Sequence, residues 1–265
     1  MYSSFQLIKK YFRYYRKASG GKGHGVHSPF VFDFILNVLN NKSNYQAPVE
    51  IEQLRQHLLK DKRALQIEDF GAGSRVRSGR QKTVAGVAKS ALKPKSLSQL
   101  LFRLVKHYQP KTILELGTSL GITTSYFSKA SPQTSIITIE GSSSIASVAR
   151  ENFQQLHCSN IQLNEGNFDD LLPSVIHQLS FVDLAYIDGN HRYQPTISYF
   201  RQLVSACNQH TVLVFDDIHW SAEMEQAWEE IKLHPQVKCT IDIFFLGFVF
   251  FREEFREKQH FSIRF

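Results

Sequence analysis

The sequence predicts an α/β fold in which a mostly parallel sheet with an antiparallel last strand follows a basic helical N-terminal region. Three observations carry that expectation. From Lys111 onward, short β-branched or apolar runs alternate with amphipathic stretches at helical spacing, the pattern of βα units joined by right-handed crossovers. The last two apolar runs stand too close for such a crossover, which needs about a dozen residues, so they pair antiparallel. Cations are also concentrated at the start: residues 1–95 hold 18 Lys and Arg against 6 Asp and Glu, whereas residues 96–265 hold 13 against 18. The formal charge of +7 is thus the sum of a basic third and an acidic remainder.

In chain order, Phe5, Ile8, Phe12 and Tyr15 recur at helical spacing, with Lys9, Lys10, Arg13, Arg16 and Lys17 mostly on other faces. A helix packing its aromatic stripe on the rest of the protein is expected there. After Gly20-Gly21-Lys22-Gly23, Ser28-Pro29 has the form of an N-cap followed by proline at the first helical position, opening a helix over 30–39. Another helix is expected over 49–65. Residues 71–95 are rich in Gly, Ser and cations and poor in large apolar side chains, which reads as a mobile segment with at most one short helix. Gly71-Ala72-Gly73 looks like the start of a phosphate loop, but no regular helix pattern follows it. The expected division is a basic region over 1–95 and an α/β domain over 96–265. In that domain the strand runs are 112–116, 135–139, 161–164, 182–187 and 211–215, with helices over 121–130, 143–157, 169–179 and 196–207. A helix over 220–233 and strands over 237–243 and 248–251, joined through Leu246-Gly247, complete it.

A chain of 265 residues, 42% of them hydrophobic, buries a large core, which excludes a fibre, a disulfide scaffold and a disordered chain. Cys158, Cys207 and Cys239 are odd in number and widely separated, as expected of reduced thiols in a cytoplasmic protein. No secretory signal pattern and no apolar run long enough to span a membrane are present.

In an open parallel sheet, ligands lie beyond the carboxyl ends of the strands. The run over 112–116 leads into Gly117-Thr118-Ser119-Leu120-Gly121, where two glycines four apart let the backbone turn sharply and approach a ligand. Glu140 ends the next strand 23 residues after Gly117, where an acidic group accepts both hydroxyl protons of a ribose. Two other sites share this pattern. The same five residues spell G-x-S-x-G, with Asp188 and His219 following in hydrolase order, but no upstream loop offers oxyanion donors. A nicotinamide site prefers a third glycine where Thr123 or Thr124 stands.

Taken together, ILELGTSLGITT, IITIEG, NEGNFDDLLP, LAYIDGNHRY and VLVFDDIHW resemble the class I S-adenosylmethionine-dependent methyltransferases, especially the catechol O-methyltransferase-like group, over about residues 96–251. The resemblance implies a Rossmann-like seven-stranded sheet and S-adenosyl-L-methionine as cofactor. Glu115, Gly117, Thr118, Ser119 and Gly121 would line its methionine portion, Glu140 and Gly141 its ribose, and Asn167 and Phe168 its adenine, with Asp188 facing the methyl-transfer region. Carboxylates favour a cationic sulfonium, and an apolar ring such as Phe168 can cover adenine. The resemblance further implies that Asp188, Asp216 and Asp217 hold Mg²⁺ or another divalent cation. Asp217 stands where that group has Asn, and His191 where it has a catalytic Lys in I-D-x-x-K. Histidine accepts a proton near neutral pH, so His191 is the base candidate, with Asp188 as the second catalytic residue. Without metal, Asp216 and Asp217 would cap the helix beginning near Trp220. His219 and Trp220 either wall the pocket mouth or pack at that helix start.

The expected function is methyl transfer to a small hydroxylated acceptor (EC 2.1.1.-). The alternatives are a nucleic-acid methyltransferase and an inactive scaffold. The basic N-terminal region is expected to serve as a lid or homodimer contact; nucleic acid and an anionic membrane surface are its other readings. No RNA-binding motif and no N/D-P-P-Y/F tetrapeptide occur, which favours a small oxygen acceptor over nucleic acid.

Overall fold

A computed structural model describes residues 1–23, 26–41, 48–67 and 80–265. They form two compact units, Met1–Asn40 with Leu172–Phe265, and Asn41–Leu171.

The first unit opens with α1 (Ser4–Lys17), started by a capping box in which the Ser3 side chain accepts from the Gln6 N–H and the Gln6 side chain accepts from the Ser3 N–H. The side chains it packs are not the ones expected. Phe5, Ile8, Phe12 and Tyr15 are 77%, 55%, 63% and 44% exposed. Tyr2, Lys10, Tyr11 and Tyr14 face the unit instead, and Tyr14 Oη donates to the carbonyls of Asp242 and Ile263 at 2.7 and 2.6 Å. Periodicity locates a stripe but does not decide which of two aromatic faces is covered; here the hydroxyl-tipped rings meet backbone acceptors that bare phenyl rings could not satisfy. Next, α2 (Pro29–Phe34) has Ser28 as N-cap and proline at its start, and runs on as a π-helical turn over Ile35–Leu39. Phe34 meets Phe248 and Phe250 edge-on.

The second unit begins with α3 (Val49–Leu58), which stops well short of residue 65. Beyond it, β1 (Ala64–Ile67) pairs antiparallel with β2 (Arg80–Thr83), and Thr83 caps α4 (Val84–Ala91). Val84, Val87 and Ala88 are buried, so residues 80–91, which composition marked as mobile, form a strand and a packed helix. Gly71-Ala72-Gly73 lies outside the described residues. Then α5 (Lys95–Tyr108) packs on α6 (Ile122–Ala130), with Phe102 edge-on to Tyr126. A buried Arg55 ties α3 to α5: its guanidinium donates to Glu52 at 3.0 Å, the Lys93 carbonyl at 2.6 Å and Ser98 Oγ at 3.1 Å. Such a cation is tolerable inside only because its donors are satisfied. The strands β3 (Thr112–Leu116), β4 (Ser135–Glu140) and β5 (Ile161–Glu165) are parallel, with α7 (Ser143–Gln155) crossing between the last two.

The chain re-enters the first unit along α8 (Phe168–Gln178). There follow β6 (Leu184–Ile187), α9 (Tyr193–Val204), β7 (Val212–Asp216), α10 (Ala222–Leu233), β8 (Cys239–Asp242), β9 (Leu246–Phe250) and β10 (Gln259–Ser262). β6 and β7 are parallel, β9 runs antiparallel to both β7 and β8, and β10 is parallel to β8. The mostly parallel α/β class is as expected, but β3 to β10 make eight strands where seven were expected. The antiparallel strand is β9 rather than the last. β10, with the sequence QHFS, has none of its residues buried, so it carries no hydrophobic signal. The turn between β8 and β9 also differs from expectation. Leu246-Gly247 lies inside β9, and the bend is made by Phe244 at φ 72°, whose N–H donates to Asp242 Oδ1 at 2.7 Å. Gly247 is required for packing, since a Cβ there would sit 2.6 Å from the Trp228 ring.

Candidate active site

In the second unit, β3 delivers its carboxyl end into the turn over 117–121. Gly117 (φ 103°), Ser119 (φ 49°) and Gly121 (φ 77°) all take left-handed backbone, and a Cβ on Gly121 would come within 2.5 Å of Phe153. Glu115 is fully buried, its Oε2 accepting from Thr124 Oγ1 at 2.5 Å and Thr138 Oγ1 at 2.7 Å. Thr118 Oγ1 lies 2.6 Å from Thr138 Oγ1. Because the Thr138 proton goes to Glu115, Thr118 is the donor of that pair. Glu140, at the end of β4, accepts from the N–H of Ser119 at 2.8 Å on one oxygen and from that of Ser142 at 3.0 Å on the other. Ser119 Oγ is buried and has no hydrogen-bond partner among the described residues. Gly141 follows Glu140 at the strand end and is half-buried. Asn167 starts α8, its side chain accepting from the Asp169 N–H at 3.2 Å, and half-buried Phe168 is the first residue of that helix. Gly166 is a third left-handed glycine (φ 148°) at the end of β5, where a Cβ would press on Leu171.

In the first unit, β6 and β7 end at a cluster of carboxylates and an imidazole. Asp188 Oδ1 lies 3.4 Å from His191 Nε2, and Asp188 Oδ2 accepts from Tyr186 Oη at 3.2 Å. Asp216, 1% exposed at the end of β7, joins them: ligand atoms of Asp188, His191 and Asp216 all lie within 4.8 Å of one another. Asp217 is not one of the three. It takes a left-handed conformation (φ 54°), its N–H bonding to the Phe245 carbonyl at 2.8 Å and its carbonyl accepting from the Trp220 N–H at 2.9 Å. Asn190 and His191 are also left-handed (φ 62° and 22°), with Asn190 donating to Tyr199 Oη at 2.5 Å. Two consecutive left-handed positions, Asn190 and His191, bring the imidazole to Asp188 at the strand end.

His219 proves to be the centre of an ion cluster. Its Nδ1 lies 3.1 Å from Glu225 Oε1, its Nε2 2.8 Å from Asp242 Oδ2, and its ring stacks on Phe244. Burial disfavours the imidazolium, but hydrogen bonds and charge from Asp242 and then Glu225 outweigh it and raise its pKa. Burial likewise works against the Glu225 carboxylate, yet Lys10, Tyr2 and His219 together lower its pKa. Lys10 Nζ reaches both Glu225 oxygens at 2.8 and 2.9 Å, and Tyr2 Oη donates to the same group at 2.8 Å. Sequence reasoning missed this cluster because its members are spread over more than 200 positions with no local motif.

The second unit thus presents a glycine-lined strand-to-helix turn beside an acidic strand end, and the first unit an Asp–His–Asp cluster at the ends of β6 and β7. Residues 114–218 match a family described as a methyltransferase domain. A catechol O-methyltransferase from Niastella koreensis is 31% identical over 123 residues, 45% of this chain and 53% of that protein, so the chain spans about half of that curated relative. The O-methyltransferase from Bacillus cereus, solved with SAH, has a TM-score of 0.56 at 18% identity over 83% of this chain and 97% of that one. The O-methyltransferase TomG from Streptomyces achromogenes, solved with SAM, has a TM-score of 0.54 at 18% identity, over 61% and 82%. Over residues 114–218 the chain is thus similar to methyltransferase domains, and its fold is that of the two O-methyltransferase structures.

Proposed function

We propose that this protein methylates a hydroxyl of a small acceptor using S-adenosylmethionine, with His191 as the proton acceptor and Asp188 orienting it. The observation that carries this reading is the Asp188–His191 contact at 3.4 Å, held by left-handed backbone at Asn190 and His191. A carboxylate beside an imidazole fixes its tautomer and supports the charge it gains on taking a proton. For the cofactor, the residues present suit the group. Glu140 is a carboxylate at the strand end, the residue type that accepts from ribose hydroxyls, Ser119 Oγ is a buried hydroxyl in want of a partner, and the left-handed glycines let the backbone approach closely. The cofactor when bound supplies an electrophilic methyl carbon on a cationic sulfonium. The chain then has two tasks: to hold the acceptor oxygen in line with that carbon, and to remove its proton at His191 as the O–C bond forms.

The convergence of Asp188, His191 and Asp216 favours a second reading, in which a divalent cation assists. Two carboxylates and an imidazole suit a first-row metal ion. Those three residues would hold it, Asp217 lying outside the convergent set, and the ion would lower the pKa of an acceptor hydroxyl. A ligating Nε2 cannot also take a proton, so His191 is base in one reading and ligand in the other. Calorimetric titration with S-adenosylhomocysteine, then radiolabelled methyl transfer to a panel of catechols and phenols with and without chelator, tests both. Absence of binding at high micromolar concentration would overturn the cofactor assignment.

A further inference from the structure

The strongest unexplained surface in the protein is the outward face of α1. Phe5, Ile8, Phe12 and Tyr15 stand in one stripe, all exposed, and Phe245, 42% exposed, adjoins them through Tyr11, whose ring lies 5.8 Å away. Such a patch on a water-soluble surface marks an interaction site. Immediately beside the stripe, at roughly 100° of helical rotation per residue, come Lys9, Arg13, Arg16 and Lys17. These four side chains make no ion pair among the described residues, and with Phe12 they line a surface groove. Lys10, by contrast, is turned inward and spent on Glu225. The helix is therefore divided along its length. One face is tied down by Lys10, Tyr11 and Tyr14, with Tyr2 just ahead of the helix, and the other presents apolar rings flanked by cations that make no ion pair among the described residues.

We propose that this outward face of α1 binds the surface of an anionic lipid bilayer, with Phe5, Ile8, Phe12 and Tyr15 entering the acyl boundary and Lys9, Arg13, Arg16 and Lys17 meeting the headgroups. Charge and polarity together select this occupant. A nucleic acid would satisfy the cations but leave the phenyl rings in water. A second copy of the helix would bring the same cations against themselves. A bilayer with anionic headgroups answers both faces at once. The helix has 14 residues, about 21 Å at 1.5 Å per residue. It lies along the interface, and no described helix is long and apolar enough to cross a membrane.

The test is sedimentation of the full chain with phosphatidylcholine vesicles, pure or carrying about 30 mol% phosphatidylserine. Binding to the anionic vesicles is expected at about 0.1 M salt, with weakening at about 0.5 M as the charges are screened. Arg13→Gln with Arg16→Gln should weaken partitioning about thirtyfold, at roughly tenfold or less per charge. Phe5→Ser with Phe12→Ser should weaken it at least about tenfold. None of these four side chains is buried, so the melting temperatures should match the parent, and the binding is independent of any methyl-transfer activity. No sedimentation with anionic vesicles, or unchanged sedimentation of both double variants, overturns the proposal. So does a lipid-free dimer in light scattering that Phe5→Ser with Phe12→Ser abolishes, or a salt-sensitive RNA gel shift with no vesicle binding.

Discussion

Nε2 of His219 lies 2.8 Å from a carboxylate oxygen of Asp242, and the ring's other nitrogen is closed by Glu225. This pair joins the loop after β7 to the end of β8, and through Glu225 it fastens α1 to the unit. The N-terminal helix is thus attached to the loop that carries Asp217.

The first prediction follows from the sign of the two shifts. His219 titrates above its ordinary 6.5 in the folded protein, so its contribution to stability is complete below that value and is lost as pH rises through the raised one. Glu225 titrates below its ordinary 4.5, so its contribution is present above that value and is lost as pH falls through the depressed one. Thermal melting should accordingly show a loss of stability on the alkaline side that His219→Gln removes. That variant should cost roughly 2–4 kcal/mol near neutral pH by leaving buried carboxylate atoms unpaired.

Gly121→Ala should destabilise the protein by about 2–4 kcal/mol, because a left-handed backbone and a 2.5 Å approach to Phe153 act together. Urea unfolding measures the loss. Binding of S-adenosylhomocysteine should fall with it, since the same turn forms the expected cofactor loop.

Glu140→Gln leaves an oxygen for the Ser119 or Ser142 N–H but puts a donor where the other N–H points. We expect a stability loss of about 1 kcal/mol and a drop of roughly tenfold or more in S-adenosylhomocysteine affinity. An affinity equal to the parent's would remove Glu140 from the ribose site.

At the acidic cluster, His191→Gln and Asp188→Asn should each lower turnover by about 10²- to 10⁴-fold while S-adenosylhomocysteine still binds. If a cation is held, chelation should abolish turnover, and Asp216→Ala should weaken Mn²⁺ binding far more than Asp217→Ala, because only Asp216 converges with Asp188 and His191. Equal effects of the two substitutions would return Asp217 to the metal set.

Much of the α/β architecture was legible because each core strand is itself a local signal. The sequence places β3 residue for residue, and β4, β5 and β7 to within a residue at each end; β3, β4 and β7 bury most of their side chains and so read as apolar runs. The edges were not. β1, β2 and β10 have four residues each, the last two mostly polar, and their pairing depends on partners elsewhere in the chain. The glycine turn and Glu140 stood out by spacing. The position of His191, by contrast, follows from left-handed backbone at Asn190 and His191 that no spacing rule predicts.

The sequence by itself determined the βα alternation, the Gly117–Gly121 turn with Glu140 at the next strand end, and the separation of a basic beginning from an acidic remainder. These are matters of local periodicity, backbone permissiveness and composition, which a linear chain displays directly. Only the tertiary structure decided which face of α1 is covered, that His219 is held between Glu225 and Asp242, and that His191 rather than Asp217 converges with Asp188 and Asp216. Each of those depends on side chains brought together from distant positions, where hydrogen-bond geometry and burial choose among arrangements that the local pattern leaves equivalent.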